Sequence, residues 1–205
     1  MSRPLGPVLR QHLAALRMLL VFTVVTGLAY PLAVTGIAQV AFPHHANGSL
    51  IDTGGRPVAS GLIGQSFPLL QNGEGTGRPD PKWFQPRPST SSYDPLASGA
   101  SNLGPNNPTL VARAKERRAA LSAFDGVPPG DVPADALTAS GSGLDPDISP
   151  AYAYEQVDRV ARARGLPRST VRGLVTAHRQ RRALGFLGQE HVNTVQLNHA
   201  LARLG

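Results

Sequence analysis

The longest predominantly apolar stretch of the chain extends from Met18 to Phe42 and contains no charged residue. About 20 such residues are enough to cross the hydrocarbon core of a bilayer as one helix. Gly36 and Ala38, with one residue between them, would fit the small-x-small cleavage site of a secretory signal peptide. However, the stretch is much longer than the roughly 7–15 apolar residues of a signal peptide. We therefore predict that residues 18–42 form a retained transmembrane helix.

The basic residues around this stretch are distributed unevenly. Arg3, Arg10 and Arg17 precede it, and no Lys or Arg follows it before Arg56. Positively charged residues close to a membrane span are retained on the cytoplasmic side. This asymmetry predicts a single-pass protein of the cell membrane, with residues 1–17 in the cytoplasm and residues 43–205 outside it.

Residues 43–205 combine the periodicities of strands and helices. Short apolar runs between turn residues predict strands near Leu50 and over 58–67, whereas Gly, Pro and Asn dominate a long loop over 68–109. Apolar positions at helical spacing predict helices over 109–124, 149–165, 169–182 and 193–204. The predicted fold class is therefore α+β, with one N-terminal transmembrane helix followed by a single extracytoplasmic domain that has a small sheet and about four helices.

Local signals fix several boundaries of these elements. Ser149 before Pro150 is typical of a helix N-cap followed by the first helical residue, and Gly165 is placed to end the same helix. Asn193 and the glutamine at 196 match a capping box. In the long loop, the adjacent aromatic residues at 83 and 84 are predicted to anchor the loop on the core.

Composition excludes several kinds of chemistry. The 205 residues include no cysteine, which excludes disulfides, thiolate nucleophiles and cysteine-ligated metals. The formal net charge is +7, which in a cytosolic protein would favour nucleic acid as a partner. Outside a membrane, the arginines between 159 and 182 instead fit lipid headgroups, an acidic partner subunit or a solvated face. His44 and His45 lack a third ligand, and no metal site is predicted.

The stretch TASGSGLDPDISP at 138–150 is the main candidate for binding chemistry. Its G-x-G ends at Gly143, but Pro146 breaks the dinucleotide-binding pattern and no P-loop lysine follows. The stretch is loosely similar to the Ser-Gly-Gly-Gln signature loop of ABC ATPases. A nucleotide contact, a calcium loop and a turn with a helix cap are the alternatives, and calcium fits least because Pro150 replaces the required glycine. The candidate nucleotide-contacting residues are Ser140, Ser142, Gly143 and Gln156.

Taken in order, several motifs resemble one family, the C subunit of the Kdp potassium-transporting ATPase. They are GLIGQSF, WFQPRPS, SGASNLGPNNPTL, TASGSGLDPDISP, QVDRVARARGL and LGFLGQEHVNTVQLNHAL, which all follow a single N-terminal span. The likeness extends from about residue 16 to the C-terminus. Three places depart from the family pattern: Gln85-Pro86 replaces a short residue and glycine, Ala100 replaces a glycine, and Asp147 stands where histidine is common.

This resemblance implies a role in an ATP-driven potassium uptake complex. Its partners would be the potassium-translocating A subunit, the ATP-hydrolysing B subunit and the small F subunit, together with membrane lipid. The chain itself would be a non-hydrolytic accessory subunit that supports assembly and acts as a catalytic chaperone, raising the ATP affinity of the ATPase subunit. ATP is the one cofactor that the resemblance implies. The predicted topology places residues 138–156 outside, where ATP is scarce, and this favours a structural role. A membrane-anchored extracytoplasmic ligand-binding or cell-envelope module is the alternative.

Overall fold

The computed structural model describes residues 6–204, so Arg3 of the predicted cytoplasmic segment lies outside the described residues. The chain divides into two compact units, one ending at Ser49 and one beginning at Leu50. The first unit is dominated by a helical segment of 35 residues, Pro7–Ala41. At about 1.5 Å per residue this segment is roughly 50 Å long, which exceeds the apolar thickness of a bilayer.

The helical segment of the first unit contains one irregular turn. Helix α1 (Pro7–Val24) is followed by a π-helical turn (Val25–Ala29) and by helix α2 (Tyr30–Ala41). The irregular turn ends two residues before Pro31, which has no N–H to donate to the preceding turn. The most hydrophobic part of this helical segment is not buried in the protein. Its length and composition make the segment a candidate membrane span.

Within residues 50–204, the second unit contains three small antiparallel sheets rather than one. Two are hairpins, β1 (Leu50–Thr53) with β2 (Arg56–Ser60) and β3 (Pro68–Gln71) with β4 (Glu74–Pro79). The third has the order β5-β7-β6 and consists of β5 (Asp147–Ile148), β6 (Arg179–Gln180) and β7 (His191–Asn193). The predicted strand over 58–67 is wrong beyond Ser60, because the backbone turns there and Gly64 N–H donates to the carbonyl of Leu144 at 2.7 Å.

Residues 50–204 form six helices, where the sequence predicted about four. They are α4 (Pro108–Asp125), α5 (Ala134–Leu137), α6 (Pro150–Glu155), α7 (Val157–Arg164), α8 (Arg168–His178) and α9 (Thr194–Ala202); the first unit adds the short α3 (Pro43–Ala46). The short α5 has no sequence periodicity to predict it. The helix predicted over 149–165 is divided at Gln156, whose ψ of −12° departs from the helical value of about −42°.

The predicted helix caps are confirmed. Ser149 Oγ accepts from Tyr152 N–H at 3.0 Å, and Asn193 Oδ1 accepts from Gln196 N–H at 3.0 Å. Gly165 ends α7 in the left-handed conformation with φ +66°. Each cap satisfies a backbone group that the helix cannot satisfy itself, which is worth about 1 kcal/mol.

The core of the second unit is assembled from α5–α9 and strands β5 and β7. Its fully buried side chains include Tyr152, Val171, Val192, Leu197 and Leu201. Phe84 is also completely buried, and Trp83 packs against this core. The prediction that the aromatic pair anchors the long loop is therefore confirmed, and burial of Phe84 contributes about 2–3 kcal/mol.

Candidate functional site

The loop at 138–144 is folded by its own side chains. Ser140 Oγ accepts from Gly143 N–H at 2.7 Å, and both residues are buried. Gly143 has φ +71°, and a Cβ on it would lie 2.6 Å from Ser91 Oγ and 2.9 Å from the carbonyl oxygen of Gly99. Only glycine fits this position, both for its backbone conformation and for the space around it.

The same loop is fixed to the segment 88–99. Ser140 N–H donates to the carbonyl of Pro88 at 3.1 Å, and Gly99 N–H donates to the carbonyl of Ser142 at 2.8 Å. Ser89 Oγ donates to the carbonyl of Gly143 at 2.7 Å. Three of the candidate nucleotide-contacting residues thus bind protein backbone and side chains of one neighbouring segment.

Gln156, the fourth candidate residue, is completely buried between α6 and α7. Its side-chain oxygen accepts from Gln85 N–H at 2.6 Å, and its side-chain nitrogen donates to the Gln85 carbonyl at 3.0 Å. Ser140, Ser142 and Gly143 therefore share one loop, which binds the segment 88–99. Gln156 lies outside that loop and binds Gln85, just before this segment.

Sequence reasoning missed the two residues that complete this arrangement. Arg159 is 4 % exposed; its side chain donates to Asp125 and to Gln156 at 2.6 Å, and to the carbonyl of Trp83 at 2.9 Å. Asn198 binds both backbone groups of Phe84, at 2.9 and 2.8 Å. Arg159 had been grouped with surface arginines, because nothing in its local sequence distinguishes a buried arginine from an exposed one.

Two clefts adjoin this region, and neither is lined by the four candidate residues. One, of about 490 Å³, is lined by charged groups that include Arg87, Asp145, Asp147 and His191. Arg87 and Asp145 form an ion pair at 3.0 Å, and His191 lies 3.6 Å from Asp147. Burial raises the pKa of Asp147, and the nearby His191 opposes that shift. The other cleft, of about 470 Å³, lies between the β3–β4 hairpin and the segment 85–93.

The described residues offer little to a metal or a phosphate. Within 6–204 there is no group of three or more His, Asp or Glu side chains that could hold a metal ion. The adjacent His44 and His45 stack edge to face instead. In the loop, the amides of Ser140 and Gly143 are already hydrogen-bonded within the protein, while Ser142 lies on the surface. In this conformation the amides of Ser140 and Gly143 are therefore not free to bind a phosphate.

The chain matches known proteins over nearly its whole length. The family model described as "K+-transporting ATPase, c chain" matches residues 12–203. A potassium-transporting ATPase KdpC subunit of Kineococcus radiotolerans is 52% identical over 203 residues, covering 98% of this chain and 97% of that protein. The chain belongs to the KdpC family.

Further KdpC relatives come from other bacteria. The subunit of Streptomyces coelicolor is 48% identical over 218 residues, covering 100% of this chain and 97% of its own. That of Caulobacter vibrioides is 54% identical over 183 residues, covering 88% of this chain and 86% of its own. Membership of the KdpC family thus rests on the whole chain, including the loop at 138–144.

Gln85, where the resemblance implies a short residue, has a clear structural use. The side chain of Gln85 donates to the carbonyls of Phe67 and Asp80 at 3.0 and 2.9 Å. These bonds connect the residues on either side of the β3–β4 hairpin to Gln85, whose backbone binds Gln156. A short residue at this position would leave both carbonyls without this donor.

Proposed function

We propose that this chain is a single-pass, non-hydrolytic accessory subunit of the high-affinity ATP-driven Kdp potassium uptake complex. The domain after the span lies outside the cytoplasm and supports assembly with the A, B and F subunits. It raises the ATP affinity of the B subunit through the assembled complex, without a nucleotide site of its own. The observation that carries this proposal is the internal use of the candidate nucleotide loop, in a chain of the KdpC family with one exposed apolar helix.

The topology follows from the arginines before the span. Arg10 and Arg17 lie in the first half of the helical segment Pro7–Ala41, and its later half carries no basic residue. The positive-inside rule then places the N-terminus in the cytoplasm. A reporter fused after residue 205 that is active only outside the cytoplasm supports this orientation. A fusion active in the cytoplasm overturns it and revives direct nucleotide binding.

The four candidate residues support a structural role for the loop. Their hydrogen bonds fix the segment 85–99 against the core, which preserves one surface shape for a partner to recognise. Preorganised surfaces of this kind lose little conformational entropy on association. Binding of this chain and binding of ATP by the B subunit are then coupled within the complex, so that each strengthens the other.

Potassium-stimulated ATP hydrolysis in native membranes tests the proposal. Removing the chain should raise the KM for ATP or abolish assembly, and restoring it should reverse the change. A photoreactive ATP analogue should label the B subunit and leave this chain unlabelled. An unchanged KM and an intact complex without the chain would exclude the accessory role. Saturable labelling of this chain would replace the indirect effect with direct nucleotide contact.

A further inference from the structure

The connection between β6 and β7 contains a tight, hydrogen-bonded hairpin. Ala183 and Leu187 exchange backbone hydrogen bonds of 3.0 and 2.9 Å, and Phe186 N–H donates to the carbonyl of Ala183 at 3.3 Å. Leu184 and Gly185 occupy the two central turn positions with φ +54° and +82°. Positive φ at both central positions is the pattern of a type I′ turn, so the tip has a defined shape.

The tip of this hairpin presents large apolar side chains to solvent. Leu184 is 83% exposed, Phe186 70% and Leu187 51%. All residues from 179 to 189 are exposed. Three neighbouring large apolar side chains at an exposed turn are unusual for a surface that only meets water, whereas single exposed apolar residues are not.

Leu184 is also an unfavourable choice for its backbone conformation. A type I′ turn favours Asn or Gly at this position, and a bulky residue at positive φ is strained. The side chain gains no burial within the described protein that would offset this strain. A residue that opposes local folding preference without a packing gain points to a role in binding.

The apolar tip is flanked by positive charge. Arg181 and Arg182 are exposed, and within residues 6–204 no carboxylate forms an ion pair with either of them; Arg179 is paired with Glu190 at 3.3 Å. Arginine beside an aromatic and two leucines is the composition of segments that bind at the membrane interface. The apolar groups enter the headgroup boundary, and the guanidinium groups bind lipid phosphates.

We propose that the hairpin 181–188 inserts its tip into the surface of an anionic lipid bilayer. Leu184, Phe186 and Leu187 enter the interface, and Arg181 and Arg182 bind the phosphates around them. The proposal rests on the membrane anchor of the proposed function, because only eight residues separate the end of α2 at Ala41 from β1 at Leu50. So short a connection keeps the first residue of the second unit within about 30 Å of the end of the anchor. The hairpin acts as a second, reversible membrane contact.

The absence of cysteine from the sequence makes a direct test simple. A Phe186→Cys variant of the full chain is labelled with an environment-sensitive fluorophore and reconstituted into vesicles. The vesicles contain either phosphatidylcholine alone or phosphatidylcholine with phosphatidylglycerol, and each set is prepared with and without nitroxide-labelled lipid. Leu96→Cys is the matched control, since Leu96 is 94% exposed but has no arginine beside it. Flotation of the vesicles reports whether the anchor has been incorporated.

The proposal predicts a blue shift and lipid quenching of the label at position 186 in anionic vesicles, and neither at position 96. Adding Arg181→Gln or Arg182→Gln should lower the ratio of inserted to free tip about fivefold for each arginine at low salt. Equal solvent exposure of the label in both kinds of vesicle overturns the proposal while leaving the anchor intact. If the label at position 186 becomes shielded from water only when Kdp partner subunits are added, the proposal is also overturned, in favour of protein docking. A chain that fails to float with vesicles refutes the anchor and the hairpin proposal together.

Discussion

The side-chain amide of Gln156 binds both backbone groups of Gln85. Its oxygen accepts from the N–H at 2.6 Å and its nitrogen donates to the carbonyl at 3.0 Å, although 71 residues separate the two positions. Because Gln156 is completely buried, these bonds form in a region of low dielectric where an unpaired group is costly. The pair joins the junction of α6 and α7 to the start of the loop that Ser140, Ser142 and Gly143 bind.

Gln156→Leu should lower the free energy of unfolding of the full chain by about 3 kcal/mol. It leaves the two backbone groups of Gln85 and one donor of Arg159 without their partner, and buried groups in that state cost about 1–3 kcal/mol each. Denaturant unfolding in detergent micelles measures the change. Gln71→Leu is the control, because Gln71 is exposed and such surface changes stay within about 0.5 kcal/mol. Equal stability of the two variants would show that the Gln156 hydrogen bonds do not contribute to the free energy of unfolding.

Gly143→Ala should destabilise the chain by roughly 2 kcal/mol or more. The backbone has φ +71°, and the new Cβ would lie 2.6 Å from Ser91 Oγ, so strain and a clash act together. Gly141→Ala is the matched control, two residues away, where a Cβ meets nothing within 4 Å. Thermal melting of both variants compares them directly. A Gly143→Ala chain that melts with the Gly141→Ala chain would contradict the described loop conformation.

Local features of the fold could be predicted from the sequence. Ser149, Asn193 and Gly165 end or begin helices because each satisfies a backbone group within a few residues of itself. The apolar stretch of the span and the packing of the aromatic pair at 83 and 84 against the core could also be predicted, since both depend on hydrophobicity alone.

Features that depend on distant contacts could not be predicted. Arg159 and Asn198 reach residues 76 and 114 positions away in the sequence, and their local patterns are those of ordinary helix surfaces. The break in the helix at Gln156 accompanies such a contact with Gln85. The sequence grouped Ser140, Ser142, Gly143 and Gln156 as one candidate site, but it gave no indication that each of them contacts the segment 85–99.

Changing Ser140 and Ser142 to alanine together separates a structural loop from a nucleotide site. Ser140→Ala leaves the buried N–H of Gly143 without its 2.7 Å acceptor, which should cost about 1–3 kcal/mol. We expect lower melting of the full chain, weaker complex assembly and weak, unchanged labelling by an ATP analogue. ATP-selective, saturable labelling of the wild type that the double variant loses, with melting unchanged, would instead identify the loop as a nucleotide site.

Glu155 should make stability depend on pH. Both of its carboxylate oxygens are inaccessible and have no hydrogen-bond partner within the described residues. Burial raises its pKa from 4.5 to about 7, with further contributions from Asp125, Asp135 and Asp131, and Arg159 opposes the shift.

The sign of this dependence follows from the raised pKa. Below about pH 4.5 folded and unfolded chains both carry the proton, so Glu155 costs nothing; between about 4.5 and 7 the unfolded chain ionises first and the free energy of unfolding falls. Glu155→Gln should reduce this fall, whereas Glu116→Gln, at an exposed position, should retain the wild-type profile. Melting temperatures between pH 4 and pH 8 provide the comparison; superimposable profiles for Glu155→Gln and wild type would refute the role of Glu155.

Purification of the tagged full chain from its native membrane tests the central claim most directly. Gly27 lies in the π-helical turn of the apolar segment, and an added Cβ there meets nothing within 4 Å in this chain, so we expect a partner helix to approach closely at this position. We predict that the wild-type chain brings the A, B and F subunits with it. Gly27→Leu should enter the membrane equally well but recover less of them. A wild-type chain that is purified from these membranes without any Kdp subunit would contradict its role as an accessory subunit of the potassium uptake complex.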